Sequence, residues 1–230
     1  MDGSHFFTLL LSTDVPRLPD LDVLRWARRL SWGLVLAGLG LLLLRRCWSR
    51  SPRWAQMGWV GLMLVSVCLP GQLTPSFWLG LAFQSPSLMS TVLLTWASFM
   101  VLWPSHVHQP DAAQRQALKW ASFVAIALGW LLLLDTLALL PLSLYTFGFS
   151  PAAVLVVALC AVVPWVMGLA QQAWRVPMVL LGSVLLVHVV LRLPTGNVWD
   201  ALLDPWLWVA FQVAWLARGL RIVQGRLKTA

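Results

Sequence analysis

The run from Leu118 to Pro141, LKWASFVAIALGWLLLLDTLALLP, constrains this chain more than any other stretch. It is apolar over a length that crosses a bilayer, since ~20 helical residues at 1.5 Å each match a hydrocarbon core of roughly 30 Å. No water reaches that core to satisfy backbone N–H and C=O groups, so such a run folds as a helix that closes its bonds within itself. Similar runs recur from Leu21 to about Ala217, separated by short loops. The fold class expected is therefore all-α, a polytopic transmembrane helical bundle. Only 10% of the residues are charged, against roughly 25% in soluble domains, which excludes an ordinary water-soluble core.

Three parts are expected: a polar N-terminal segment over 1–20, the bundle over 21–217 and a basic tail over 218–230. Nothing at the N-terminus has the layout of a cleavable signal peptide, because Phe6 to Leu11 is short and no basic residue precedes it. Asp20 is placed to cap a first helix running to Leu44. In it Gly33, Ala37, Gly38 and Gly40 offer a small-residue face for close helix contact. Further spans are expected from about Trp54 to Leu69, Ser87 to Trp103, Leu118 to Pro141, Ala152 to Ala170, Pro177 to Leu191 and Pro205 to Ala217. Pro164 should kink the fifth, and Asp204 before Pro205 should cap the seventh. The uncharged linker from Pro70 to Pro86 reads as interfacial or re-entrant. A second, LSLYTFGFSP, holds the only tyrosine, Tyr145.

Loop charge orients the bundle. The loop over 45–53, Arg115 with Lys119, Arg175 and the tail carry eleven of the sixteen basic residues, while the loops after spans two and four carry none. The positive-inside rule then sets the C-terminus in the cytoplasm and, with seven spans, the N-terminus outside. The alternative is six spans with both ends inside. It arises because Arg25, Arg28 and Arg29 lead the first helix, which could lie in the inner leaflet. Fourteen arginines against two lysines suit a GC-rich coding bias and hence a bacterial plasma (inner) membrane. Most of the sixteen tryptophans are expected at headgroup level, where the indole is well placed.

The chain has no Glu, so a carboxylate inside the fourth span is a conspicuous choice. Asp135 lies five or six residues below the outer end of that span, ~8 to 9 Å deep. His188 and Arg192, four apart on the sixth span, share one face in the same layer. Asp200 and Asp204 begin the seventh span at that level. Such groups are costly in lipid and are expected to face the bundle interior or a cavity. Asp135, His188 and Arg192 thus form a candidate outward-facing site for a proton, an ion or an anionic headgroup. The alternative is a structural lock in which Asp135 pairs with Arg192 and His188 makes one interhelical hydrogen bond.

Other chemistry is thinly represented. His106, His108 and Asp111 form an HxHxxD pattern, a spacing better read as a solvated loop than as a metal site. The three cysteines lie far apart without CxxC spacing, which indicates neither disulfides nor zinc. Only His188 lies within a span, too few ligands for a transmembrane haem of the common bis-His kind, and the cofactor is left unknown. No HExxH, GxSxG, Walker or GxGxxG signature occurs. Ser85, Ser87 and Ser150, each beside a proline, read as turn residues.

The leading expectation is an accessory or scaffolding subunit of a membrane complex. Two alternatives stand beside it: a small transporter or channel using the Asp/His/Arg site, and an intramembrane enzyme acting on a lipid or isoprenoid substrate. The partners expected are membrane lipids and other membrane-protein subunits. The net charge of +8 is spent on topology, so nucleic acid is not expected.

Overall fold

The computed structural model describes residues 8, 11–12, 19–107, 109–166 and 171–227. Every regular element in the main body is helical: α1 (Leu21–Cys47), α2 (Arg53–Ser66), a 3-10 turn (Gly71–Leu73), α3 (Pro75–Phe83), α4 (Leu88–Leu102), α5 (Ala112–Thr136), α6 (Leu144–Phe147), α7 (Pro151–Val166), α8 (Gln171–Leu191), α9 (Val198–Leu202) and α10 (Pro205–Leu227). Three of them, α1, α5 and α8, are long and apolar enough to cross a membrane, while α4 and α7 are apolar but shorter.

Local chemistry sets the starts. Asp20 caps α1 by accepting from the Asp22 N–H, and Asp111 opens α5 with a reciprocal box in which Asp111 accepts from the Gln114 N–H at 2.7 Å and the Gln114 side chain accepts from the Asp111 N–H. Each such cap satisfies donors that the first helical turn leaves open. Ser87 and Ser150 are turn and cap residues: the Ser87 hydroxyl accepts from the Ser90 N–H, and that of Ser150 from the Ala153 N–H. The helix expected to begin at Pro177 starts earlier and carries that proline inside it. Helix α10 runs on to Leu227, so the basic segment after Ala217 continues the last helix. The side chain of Pro164 lies outside the described residues.

The small residues of α1 bring helices close, as their spacing predicts. A methyl group on Gly33 would collide with Val67, one on Gly40 with the Trp59 indole, and one on Gly38 would stand 2.8 Å from Leu94 Cβ and 2.9 Å from its carbonyl oxygen. Thus α2 runs antiparallel to α1 and α4 parallel to it. The linker over 70–86 folds into the short helix α3, which lies along the first half of α1 and is tied there by Trp32 Nε1 donating to the Gln84 carbonyl at 2.7 Å.

The core centres on α8. Val184 on one side packs with Leu88, Leu193 and Ala201, and Leu185 on the other packs with Ala153, Val157, Val198 and Trp199. Around this core the outward faces are apolar: Leu43, Val65, Leu186 and Leu216 are each more than half exposed. In water such a surface would aggregate; against lipid chains it is at equilibrium. The helices leave two chemically different ends. One holds Asp135, Asp200 and Asp204, with Arg192 and the start of α1 carrying Arg25, Arg28 and Arg29 at the same end; the other holds the α1–α2 loop arginines, Arg115, Lys119, Arg175, Arg218 and Arg221, with fewer carboxylates among the described residues.

Candidate functional site

At the acidic end, a ten-residue excursion after α5 brings Tyr145 back under Asp135. Asp135 Oδ2 accepts the Tyr145 backbone N–H at 2.7 Å. The Tyr145 hydroxyl donates to both oxygens of Asp200, at 3.0 and 3.3 Å, and the Thr195 hydroxyl donates to Asp200 Oδ2 at 2.6 Å. Burial, then the negative charge of Asp200, then the hydrogen bond to it push the Tyr145 phenol up to about 12, so it stays a donor. Asn197, fully buried, caps α9 by accepting from the Trp199 N–H and donates to the Tyr145 carbonyl at 2.9 Å. Trp199 Nε1 donates to the Leu144 carbonyl at 2.8 Å, and the Val198 N–H to the Gly148 carbonyl. The loops over 141–150 and 192–200 are thereby one bonded unit.

Asp204 makes a second node with Ser87 and Ser90, 117 and 114 residues away in sequence. Its Oδ2 accepts the Ser87 N–H and hydroxyl, both at 2.8 Å, and the Ser90 hydroxyl at 2.5 Å, while Oδ1 accepts the Leu207 N–H at 2.7 Å. Every lone pair facing inward is used, and the carboxylate joins the start of α4 to the start of α10.

Of the three candidate residues, His188 is fully buried and shares a 2.9 Å hydrogen bond between Nδ1 and the Leu193 carbonyl. Asp135 is half-buried, and Arg192 ends α8 in the left-handed region at φ 55°. The structure places all three at the acidic end with no side-chain bond among them; the one link is the Arg192 backbone N–H donating to the His188 carbonyl at 2.7 Å. Asp135 forms no ion pair with Arg192; the ion pair among the described residues is Arg25–Asp22. Asp135 Oδ1 and His188 Nε2 are both buried without a partner. Of the HxHxxD pattern, His108 lies outside the described residues, His106 is exposed beside Ser105, and Asp111 is the cap of α5. Among the described residues no three His, Cys or Asp side chains converge on a metal position.

The feature that sequence reasoning missed lies between the helices. A cavity of about 800 Å³ opens among α4, α5, α7, α8 and α10. Its walls are almost wholly apolar, from Met89 and Leu93 through Leu128, Val157 and Leu181 to Phe211. At the basic end the lining changes to Arg115, Lys119 and Arg218, with Trp174 beside them. Along α5 the lining extends from Arg115 to Leu128, ~20 Å at the helical rise. Small side chains make the room, Ala121 and Ala125 on α5, Ala161 on α7 and Ala214 on α10. Their recurrence at helical spacing is the signal that could have found it. Ser122, also in the wall, is already satisfied, donating to the Lys119 carbonyl and accepting from Trp215 Nε1.

Comparison with family models, with curated proteins and with solved structures finds no match. The chemistry of the site therefore carries the functional argument alone.

Proposed function

We propose that this chain is a membrane protein that holds one amphiphile of the bilayer within its helical bundle. In this reading α2, α4, α7 and α10 span together with the three long apolar helices α1, α5 and α8, the basic end and the C-terminus face the cytoplasm, and the acidic end faces outward. The single supporting observation is the 800 Å³ chamber, apolar along its length and cationic at one end. Left unfilled, a recess of that size leaves its apolar wall without packing partners. It is also roomy enough for about 25 methylene-sized groups, taking ~30 Å³ for each, the share of one water. This favours lipid handling over a purely scaffolding role.

The test is native mass spectrometry of the protein extracted gently from its membrane, wild type beside Ala125→Trp, which fills the chamber. One retained amphiphile per chain, lost in the filled variant, is expected. An equal complement of bound lipid in both would place the lipid on the outer surface and overturn the reading. A stoichiometric protein partner in the same spectrum would return the accessory-subunit reading to the front.

A second reading, a small transporter working at Asp135, His188 and Arg192, draws support from Asp135 Oδ1 and His188 Nε2, two of the three buried side-chain atoms, with Thr95 Oγ1, that have no partner among the described residues. Such atoms cost free energy unless a proton, water or ion meets them. In that reading Asp135→Asn abolishes transport while leaving abundance and folding intact; loss of the folded protein would assign Asp135 to architecture.

A further inference from the structure

We infer that the amphiphile of the chamber is an anionic phospholipid taken from the leaflet at the basic end, its phosphate held by Arg115, Lys119 and Arg218 and a hydrocarbon chain laid along α5 and α10. This rests on the chamber reading and adds the head class to it. Four observations carry it. The three cations come from two helices, α5 and α10, and line one end of one cavity. None forms an ion pair among the described residues: Lys119 Nζ meets only the Gln116 amide oxygen at 3.3 Å, and the Arg218 guanidinium lies over the Trp215 ring at 5.9 Å.

The nearest carboxylate in sequence, Asp111, is committed to the α5 cap, and the remaining described carboxylates stand at the opposite end or at the start of α1. The indole N–H groups of Trp96 and Trp174, both in the lining, have no hydrogen-bond partner among the described residues. Beyond Lys119 the largely apolar wall continues along α5 to Leu128, ~14 Å at the helical rise and close to the ~15 Å of one leaflet's share of the hydrocarbon core. A zwitterionic head would leave the excess positive charge unanswered. A phosphodiester lipid with net negative charge neutralises it, and arginine presents paired donors suited to phosphate oxygens.

The experiment uses the full chain in nanodiscs of phosphatidylcholine alone and of phosphatidylcholine with phosphatidylglycerol. Cys160 lines the chamber and is a free thiol, so with Cys47→Ser and Cys68→Ser its maleimide labelling reports occupancy, and native mass spectrometry identifies the lipid retained. The wild type is expected to prefer phosphatidylglycerol by about tenfold to a hundredfold, as three juxtamembrane cations allow. Arg115→Gln with Lys119→Gln and Arg218→Gln should bring that preference near unity while a lipid is still retained. Arg45→Gln with Arg46→Gln, basic but outside the lining, should leave it unchanged.

A wild-type protein that retains lipid with no head preference overturns this inference and leaves the chamber reading standing. A preference that survives in the triple variant, or falls equally in the Arg45/Arg46 variant, assigns it to the general basic surface and also overturns it. An empty chamber in both lipid compositions removes both readings.

Discussion

Replacing Asp204 tests the central claim about how the bundle is closed. Its carboxylate is 8% exposed and accepts four hydrogen bonds, from the Ser87 N–H and hydroxyl, the Ser90 hydroxyl and the Leu207 N–H. Hydrogen bonds to a charged group contribute about 1.5–3 kcal/mol each, but four that share one carboxylate do not add. The two hydroxyls can turn to other acceptors when it is removed; the two backbone N–H groups cannot. Asp204→Ala should therefore cost about 3–5 kcal/mol, the range for stranding buried partners of a charge.

Asp204→Asn should be milder. Its amide oxygen can keep the three bonds from Ser87 and Ser90, but its NH2 then faces the Leu207 N–H, which loses a helix cap at ~1–2 kcal/mol. For a chain of this size about 2–4 °C accompanies each kcal/mol. Asp204→Ala should thus melt ~6–20 °C below wild type and Asp204→Asn ~2–8 °C below, read by tryptophan fluorescence in one detergent. Asp22→Ala, which removes an exposed partner of Arg25, is the control and should change little. An Asp204→Ala protein that melts with wild type would refute the claim that this carboxylate joins α4 to α10.

Tyr145 is the only tyrosine, so tyrosinate absorbance reports it alone. It should ionise near 12, against the ordinary phenol value of 10.0; because the folded pKa is raised, its contribution to stability is whole below about pH 10 and is lost as pH rises through 12. Asp200→Asn should lower that midpoint, and a midpoint already at 10 in wild type would contradict the burial and bonding described. Gly38→Val should destabilise by about 1–3 kcal/mol by wedging α1 from α4, whereas Gly58→Ala, with nothing within 4 Å of the added carbon, should be neutral or stabilising; equal melting of the two would argue against the close crossing. Ala138 sits at φ 54°, where a side chain is strained, so Ala138→Gly should raise stability by up to ~1 kcal/mol; a lower melting temperature would count against that geometry.

Much of the frame was legible because the signals were local. Asp20, Asp111 and the Asp204–Pro205 pair are helix starts written within four residues, and the glycines of α1 declare close packing by spacing alone. What escaped was set by partners far apart in sequence. Nothing near Asp204 names Ser87, and nothing near Tyr145 names Asp200. The tryptophans show the same divide. Interfacial anchoring was the expectation, yet Trp32, Trp59, Trp199 and Trp208 donate to the carbonyls of Gln84, Leu36, Leu144 and Ile126. A carbonyl already bonded in a helix keeps a second lone pair, so an indole can join two helices without unwinding either. Trp59 lies more than a turn inside its apolar run, and that position was the available clue; Trp208, in the first turn of its helix, offered none.

These bonds bear on function through the contrast between the two ends. At the acidic end the side chains that could bind a ligand are largely turned inward: Asp200 is taken by Tyr145 and Thr195, Asp204 by Ser87, Ser90 and the α10 start, and Asn197 by the two loops. Polar groups committed in this way hold a closed, fixed layer. At the basic end Arg115, Lys119 and Arg218 have no carboxylate partner among the described residues, and the helices between the ends stand apart around the chamber. Closing one end by internal bonds while leaving charge and volume unmet at the other puts the charged part of the chamber's lining, Arg115, Lys119 and Arg218, at one end. A bilayer lipid enters such a space with its chain toward the closed layer and its head at the cations, so one architecture specifies both the ligand's place and its orientation.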